Sequence, residues 1–328
     1  MQKLWVLFLY AVLILAIAQE ARAQNVCSLP LTNIIEVLDS RLTVRVPVHA
    51  TTVPRQRSIM SAPESSQEET RIEVKSGGSS MVIMVRETFT TSGPDFEKAI
   101  RTTLRDDPLS IEPFASKPPL RGYAYYPSSP HGMKELIWGA YMAQSDGTVE
   151  LIEFYGDHLQ GKLWDQCTTQ AKEIASSLAP GTRRLKLDGG TVKLGPVSND
   201  WDLFATVPSQ YVSTMQNGED FIVYKVKKIV PMGSRQPMLG IYIGNAPSFD
   251  ANGNKTGTVT LLGQETDWYD FAKGNRIGTN ALVKLISHSE GWPEYAHIFA
   301  NCSTAAELSE LKQIAGTLSI KPHGKANR

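Results

Sequence analysis

Three groups of side chains stand at spacings that chemistry can use. The first is Glu294-Tyr-Ala-His297, with His288 and Glu290 just upstream. On a helix, Glu and His three apart share a face and can hold a metal. This segment follows Trp292-Pro293 and reads instead as a strand, which sends residues three apart to opposite faces. No metal is expected, and His297 reads as a packed, hydrogen-bonded side chain. The second group, Asp250-Ala-Asn-Gly-Asn254, has the acid and amide content of a calcium loop. An EF-hand needs Gly at its sixth position and Glu at its twelfth, where Lys255 and Leu261 stand, so the stretch reads as a turn. The third group is aromatic: Tyr123, Tyr125, Tyr126, Trp138 and Tyr141, then Trp268, Tyr269 and Phe271. Sheets favour aromatics, which accounts for most of these. Tyr126 beside Pro127-Ser-Ser-Pro130, and Trp268 and Tyr269 within Glu265-Thr-Asp-Trp-Tyr-Asp270, flank polar residues. Those three are the candidate anchors of a binding surface.

Enzyme signatures are missing. The chain has no G-x-S-x-G elbow, no phosphate-cradling G-x-x-x-x-G-K-[ST], no H-E-x-x-H and no G-x-G-x-x-G after a strand. No cofactor is expected. His131, His288 and Asp157 remain as unpaired candidates for a hydrolase without a local signature. The 328 residues carry 33 Lys+Arg against 33 Asp+Glu, a balance that excludes binding nucleic acid by bulk charge. Hydrophobic residues make up 41%, which excludes disorder throughout.

The N-terminus has the layout of a secretory signal peptide. Lys3 precedes an apolar run from Leu4 to Ala18, and Ala21-Arg-Ala23 supplies the small-x-small end. Residues 1–23 are expected to be removed, leaving 31 basic against 32 acidic side chains and no stable membrane span. The mature chain is then periplasmic or secreted, where a disulfide can form. Cys167 sits on the apolar helical face of Trp164, Ala171, Ile174 and Leu178, and reads as a buried free thiol. Elimination leaves Cys27–Cys302 as the expected bridge.

Two halves rhyme. Ile174-Ala-Ser-Ser-Leu178 recurs as Ile314-Ala-Gly-Thr-Leu318, each closing an amphipathic helix. The second helix opens on Thr304-x-x-Glu307, a capping-box pattern. Strand pairs 136–143 and 148–155 precede the first helix, and 281–287 and 293–300 precede the second, an offset of 145 that sets Phe154 on Phe299 and Ile152 on His297. Upstream, Arg41–Pro47 and Asp202–Pro208 both alternate and end in Val-Pro. The expected class is α+β: two similar domains, each a mostly antiparallel twisted sheet packed by helices. The domains are placed at 24–189 and 195–328, joined by a linker at 190–194 after the turn-rich Pro180–Gly190.

The Val-Pro strand ends and the closing Ile314-Ala-Gly-Thr-Leu-Ser-Ile320 resemble PsbP-like and DcrB-like exported proteins. Tandem copies of similar domains occur in periplasmic immunity proteins that neutralise type VI lipase effectors. The resemblance implies non-enzymatic binding or accessory work in the cell envelope, with a protein as partner, and carries over no functional residue. Its rivals are the hydrolase above and a small-ligand carrier, which would show an apolar cavity lined by Tyr, Trp and Met.

Overall fold

The computed structural model describes residues 25–53, 69–76, 78–104, 109–115, 121–127, 135–157, 161–185, 187–249, 251, 253–285 and 292–322. The leader 1–23, His131, His288 and Glu290 lie outside them. The chain divides into two compact units. The described part of the first runs to residue 53 and takes in 69–86 and 100–182, and that of the second comprises 87–99 and 183–322.

In chain order the first half contains β1 (Leu31–Val37), β2 (Leu42–Pro47), β3 (Thr51–Val53), β4 (Glu69–Ser76), β5 (Ser79–Thr91), α1 (Phe96–Leu104), β6 (Leu109–Ala115), β7 (Arg121–Pro127), β8 (Glu135–Ala143), β9 (Thr148–Asp157), α2 (Lys162–Ser176) and β10 (Ala179–Pro180). The second contains β11 (Gly190–Pro196), β12 (Trp201–Val207), β13 (Tyr211–Asn217), β14 (Phe221–Lys228), β15 (Val230–Pro231), β16 (Met238–Gly244), β17 (Asn254–Leu261), β18 (Gln264–Lys273), β19 (Arg276–Lys284), β20 (Tyr295–Cys302), α3 (Ala305–Gly316) and β21 (Ser319–Pro322).

The sheet orders match strand for strand. Small sheets run β1-β2-β10 and β11-β12-β21, and large ones β3-β4-β5-β9-β8-β7-β6 and β13-β14-β16-β20-β19-β18-β17. The one added pairing is within the second unit, where β15 runs parallel to Thr90 and Thr91 at the end of β5. Each unit therefore repeats one topology.

The α+β expectation is overturned. Strand makes up 58% of the described residues and helix 16%, in four antiparallel sheets with three α-helices, so the fold is β-rich. The reason is visible in the cores. Val44 and Val46 of β2 pack in one cluster with Ile72 and Ile83 of the large sheet and Ala171 and Ile174 of α2. Leu203 and Ala205 of β12 do the same with Ile222, Ile241, Leu311 and Ile314. A three-stranded sheet thus shares with a single helix the layer that an α+β fold gives to helices alone.

The recurring Ile-Ala-x-x-Leu ends each helix in the same way. Ser177 Oγ donates to Ile174 O at 2.6 Å and accepts from Arg45 N of β2 at 2.8 Å. Thr317 Oγ1 donates to Ile314 O at 2.6 Å and accepts from Thr206 N of β12 at 2.8 Å. One hydroxyl in each unit therefore closes the helix and ties it to the small sheet. Thr304 and Glu307 form the reciprocal capping box at the start of α3. Among the described residues no helix is long and apolar enough to cross a membrane.

The cysteine pairing also differs from expectation. Cys27, in a short 3-10 turn, is joined to Cys167 of α2 across 140 residues of sequence. The buried face of α2 packs on that turn, so burial of Cys167 and its bridging are not alternatives. Cys302 is a buried free thiol closing β20, and its Sγ donates to Thr304 O at 3.4 Å. Closing so long a loop restricts the unfolded chain, and Cys27→Ser should cost about 2–5 kcal/mol in a denaturant melt. Thiol titration of the unreduced chain should count a single thiol, reactive only after unfolding.

Candidate functional site

Strand alternation gives each large sheet an inner face against its helix and an outer face. On the outer face of the second unit lies a cavity of about 600 Å3. Its floor comes from one side chain in two along neighbouring strands: Tyr242 of β16, His297, Phe299 and Asn301 of β20, and Asn280 of β19. The ladder sets Tyr242 directly opposite His297, and Phe299 opposite both Gly240 and Asn280. Ser248 and Gly253 of the connection between β16 and β17 complete the wall.

Two glycines make room for the rings. A Cβ on Gly240 would stand 2.2 Å from the Phe299 ring, and one on Gly278 2.5 Å from the Phe271 ring. Each aromatic therefore lies across the bare backbone of a neighbouring strand. Tyr242 stacks on Phe221 with ring centroids 5.7 Å apart, and its hydroxyl accepts from Ala246 N at 3.0 Å. Phe249 sets its edge against His297 at 5.7 Å and against Tyr269 at 5.6 Å. These contacts hold the connection to the sheet.

Two polar side chains on this floor are nearly fully buried and incompletely bonded. His297 is 7% exposed and its Nε2 has no hydrogen-bond partner. Burial depresses its pKa to about 4, which leaves a neutral imidazole at ordinary pH. Asn280 is 6% exposed; its Nδ2 donates to Tyr269 O at 3.3 Å while Oδ1 has no partner. Native proteins leave few such atoms, each at a cost of about 1–3 kcal/mol. Among the described residues no group of three His, Cys, Asp or Glu could hold a metal. The arrangement can bind: it offers aromatic walls, an amide oxygen lacking a donor, and an uncharged imidazole.

The anchors read from the sequence do not converge here. Trp268 was expected at the surface and is 5% exposed, packed in the core. The polar residues around it misled, because Asp270 shares its face and binds Lys312 of α3 at 2.8 Å, and Lys312 in turn lies 5.4 Å from the Trp268 ring. Tyr126 belongs to the first unit, half-buried against its core with Lys172 5.5 Å over the ring. Tyr269 is on the outer face, beside the cavity through Phe249. His297 is packed as read, yet its Nε2 lacks the expected bond. The offset of 145 was wrong in parity, since Phe154 and Ile152 are core while Phe299 and His297 face outward. Tyr242, Asn280 and Arg276 were missed. The signal was present in Tyr295-Ala-His-Ile-Phe-Ala-Asn301, where small or aliphatic residues alternate with ring and amide side chains.

The first unit treats the same face differently. Glu153 of β9, with its side chain 10% exposed, accepts from Arg86 at 2.9 Å and from the Tyr125 hydroxyl at 2.6 Å, and Arg86 also binds Glu69 at 2.7 Å. Burial and the Glu153 carboxylate push the Tyr125 hydroxyl far above the usual phenol range.

Two measurements follow from this geometry. Trp268→Ala should destabilise the second unit by about 3–5 kcal/mol in urea melts, the cost of emptying a core aromatic site. For His297, the unfolded chain takes up the proton first, near pH ~6.5, and the folded one only near pH 4. Stability should therefore fall as pH drops through that window and level off below it. Solvent screening holds the effect to on the order of 1–2 kcal/mol, and His297→Gln should flatten that part of the profile. Comparison of the chain with protein-family models, curated proteins and solved structures finds no match.

Proposed function

We propose that this chain is an exported, non-enzymatic binding protein of the cell envelope whose second unit takes a small organic molecule into its outer-face cavity. The observation that carries this reading is the coincidence of His297 Nε2 and Asn280 Oδ1, both buried and unpartnered, on the floor of one aromatic cavity. Small-molecule sites are concave and mostly apolar, of ~300–1,000 Å3, with a few polar groups that set orientation. A ligand donor would offset the cost of the bare Asn280 oxygen once the amide turns toward the cavity. Binding rather than turnover is favoured because, among the described residues, no carboxylate orients the His297 ring as a general base. Export is supported by the basic start, the apolar run and Ala21-Arg-Ala23, and the Cys27–Cys167 bridge is compatible with an oxidising compartment.

Indole, a flat apolar ring with one N–H, is the simplest probe. Titrated into the labelled mature chain at millimolar concentration, it should shift the NMR signals of Val223, Tyr242 and His297 and leave those of Tyr125 and Trp138 in place. Shifts spread evenly over both units, or none, would sink the cavity as a binding site. Mass spectrometry of the envelope form should find a chain beginning at Gln24.

A further inference from the structure

Arg276 opens β19 and lines the cavity. Its Nε donates to Asn301 Oδ1 at 2.8 Å, and among the described residues no carboxylate pairs with it. Directly opposite across the β18–β19 ladder stands Lys273, an exposed second cation that also lacks an acidic partner among the described residues. Like charges facing each other across a ladder repel. Among the lysines of this unit, Lys193 is matched with Asp202, Lys228 with Glu310, Lys255 with Asp267 and Lys312 with Asp270, whereas Lys225 binds the Gln216 amide and Lys321 lies over the Phe204 ring. At the end of the cavity two such cations face each other.

We infer that the ligand is an aromatic carboxylate bearing an N–H or O–H donor. The inference rests on the cavity being a ligand site and names the chemical class it takes. The carboxylate pairs with the Arg276 guanidinium, whose terminal nitrogens remain available after Nε has bound Asn301 and present the fork that matches two carboxylate oxygens. The ring lies among Tyr242 and Phe299, where flat apolar surface is already exposed to the cavity. The donor goes to Asn280 Oδ1, which has none within the protein and is itself out of solvent's reach, so the amide must turn toward the cavity to meet it. His297 stays neutral against the ring, so it adds no second charge to a site built for a monoanion.

The test compares each acid with its amide, which keeps shape and removes charge. Calorimetric titration of the full mature chain would use indoleacetate against indoleacetamide, and para-hydroxyphenylacetate against its amide. The acids should bind at least about tenfold more tightly, the scale of one charge-assisted pair. Arg276→Gln should abolish that preference while leaving amide affinity in place, and Arg276→Lys should restore part of it. Added salt should weaken the acids alone, a readout on the unaltered protein that holds even if a variant misfolds. Equal binding of acid and amide would overturn the carboxylate class and leave the cavity reading standing. An acid preference that survives Arg276→Gln would overturn the role of Arg276. If acids, amides and indole all fail to bind, both readings fall.

Discussion

A strand alternates its side chains, so a seven-stranded sheet has two faces to satisfy, and each unit sets one long helix and a three-stranded sheet against one of them. Seven strands at ~4.8 Å span about 30 Å, whereas a helix with its side chains covers only about 10 Å. The small sheet is what completes the inner layer. Hydrogen bonds tie it to the helix, because Ser177 and Thr317 bond both their own helix turn and the backbone of the strand beside it. Most else in the two units follows from how the second face is then handled.

The outer faces are handled by opposite means. In the first unit a buried carboxylate, Glu153, is held by Arg86 and the Tyr125 hydroxyl, and Arg86 is itself shared with Glu69. A charge taken from water demands such saturation, since an unpaired one costs several kcal/mol. In the second unit the corresponding face carries rings, an amide and a neutral imidazole, with the cations Arg276 and Lys273 at one end. An uncharged polar atom can be left bare for far less. Both faces leave room, the first beside the charged Arg86 and the second over its rings.

What the sequence made legible was whatever depends on local periodicity. The helical repeat of Ile174 and Leu178, the capping box of Thr304 and Glu307, and the alternation of Leu42, Val44 and Val46 all report the element and its buried face directly. What it obscured depends on register. A strand pair aligned between halves at an odd offset exchanges its faces, which is how the core ring Phe154 came to be matched with Phe299 on the cavity floor. Trp268 shows the same problem locally: acidic neighbours signal exposure only if they do not themselves reach a lysine on the covering helix, as Asp270 does. Cys167 shows it at the level of tertiary contact, because periodicity identifies a buried face and says nothing of what covers it.

The candidate site was hidden for a related reason. Its floor comes from three strands, β16, β19 and β20, separated by connections of different length, so no spacing in the chain brings Tyr242, Asn280 and His297 together. Only the ladder does, by placing Tyr242 and Leu282 on either side of His297, and Gly240 and Asn280 on either side of Phe299. The glycines then matter more than the functional groups: with a side chain at Gly240 the Phe299 ring could not lie down on the sheet, and the cavity would be filled by its own wall. A duplicated sheet can therefore acquire or lose a site through changes at small residues that leave its core, its helix ties and its topology as they are.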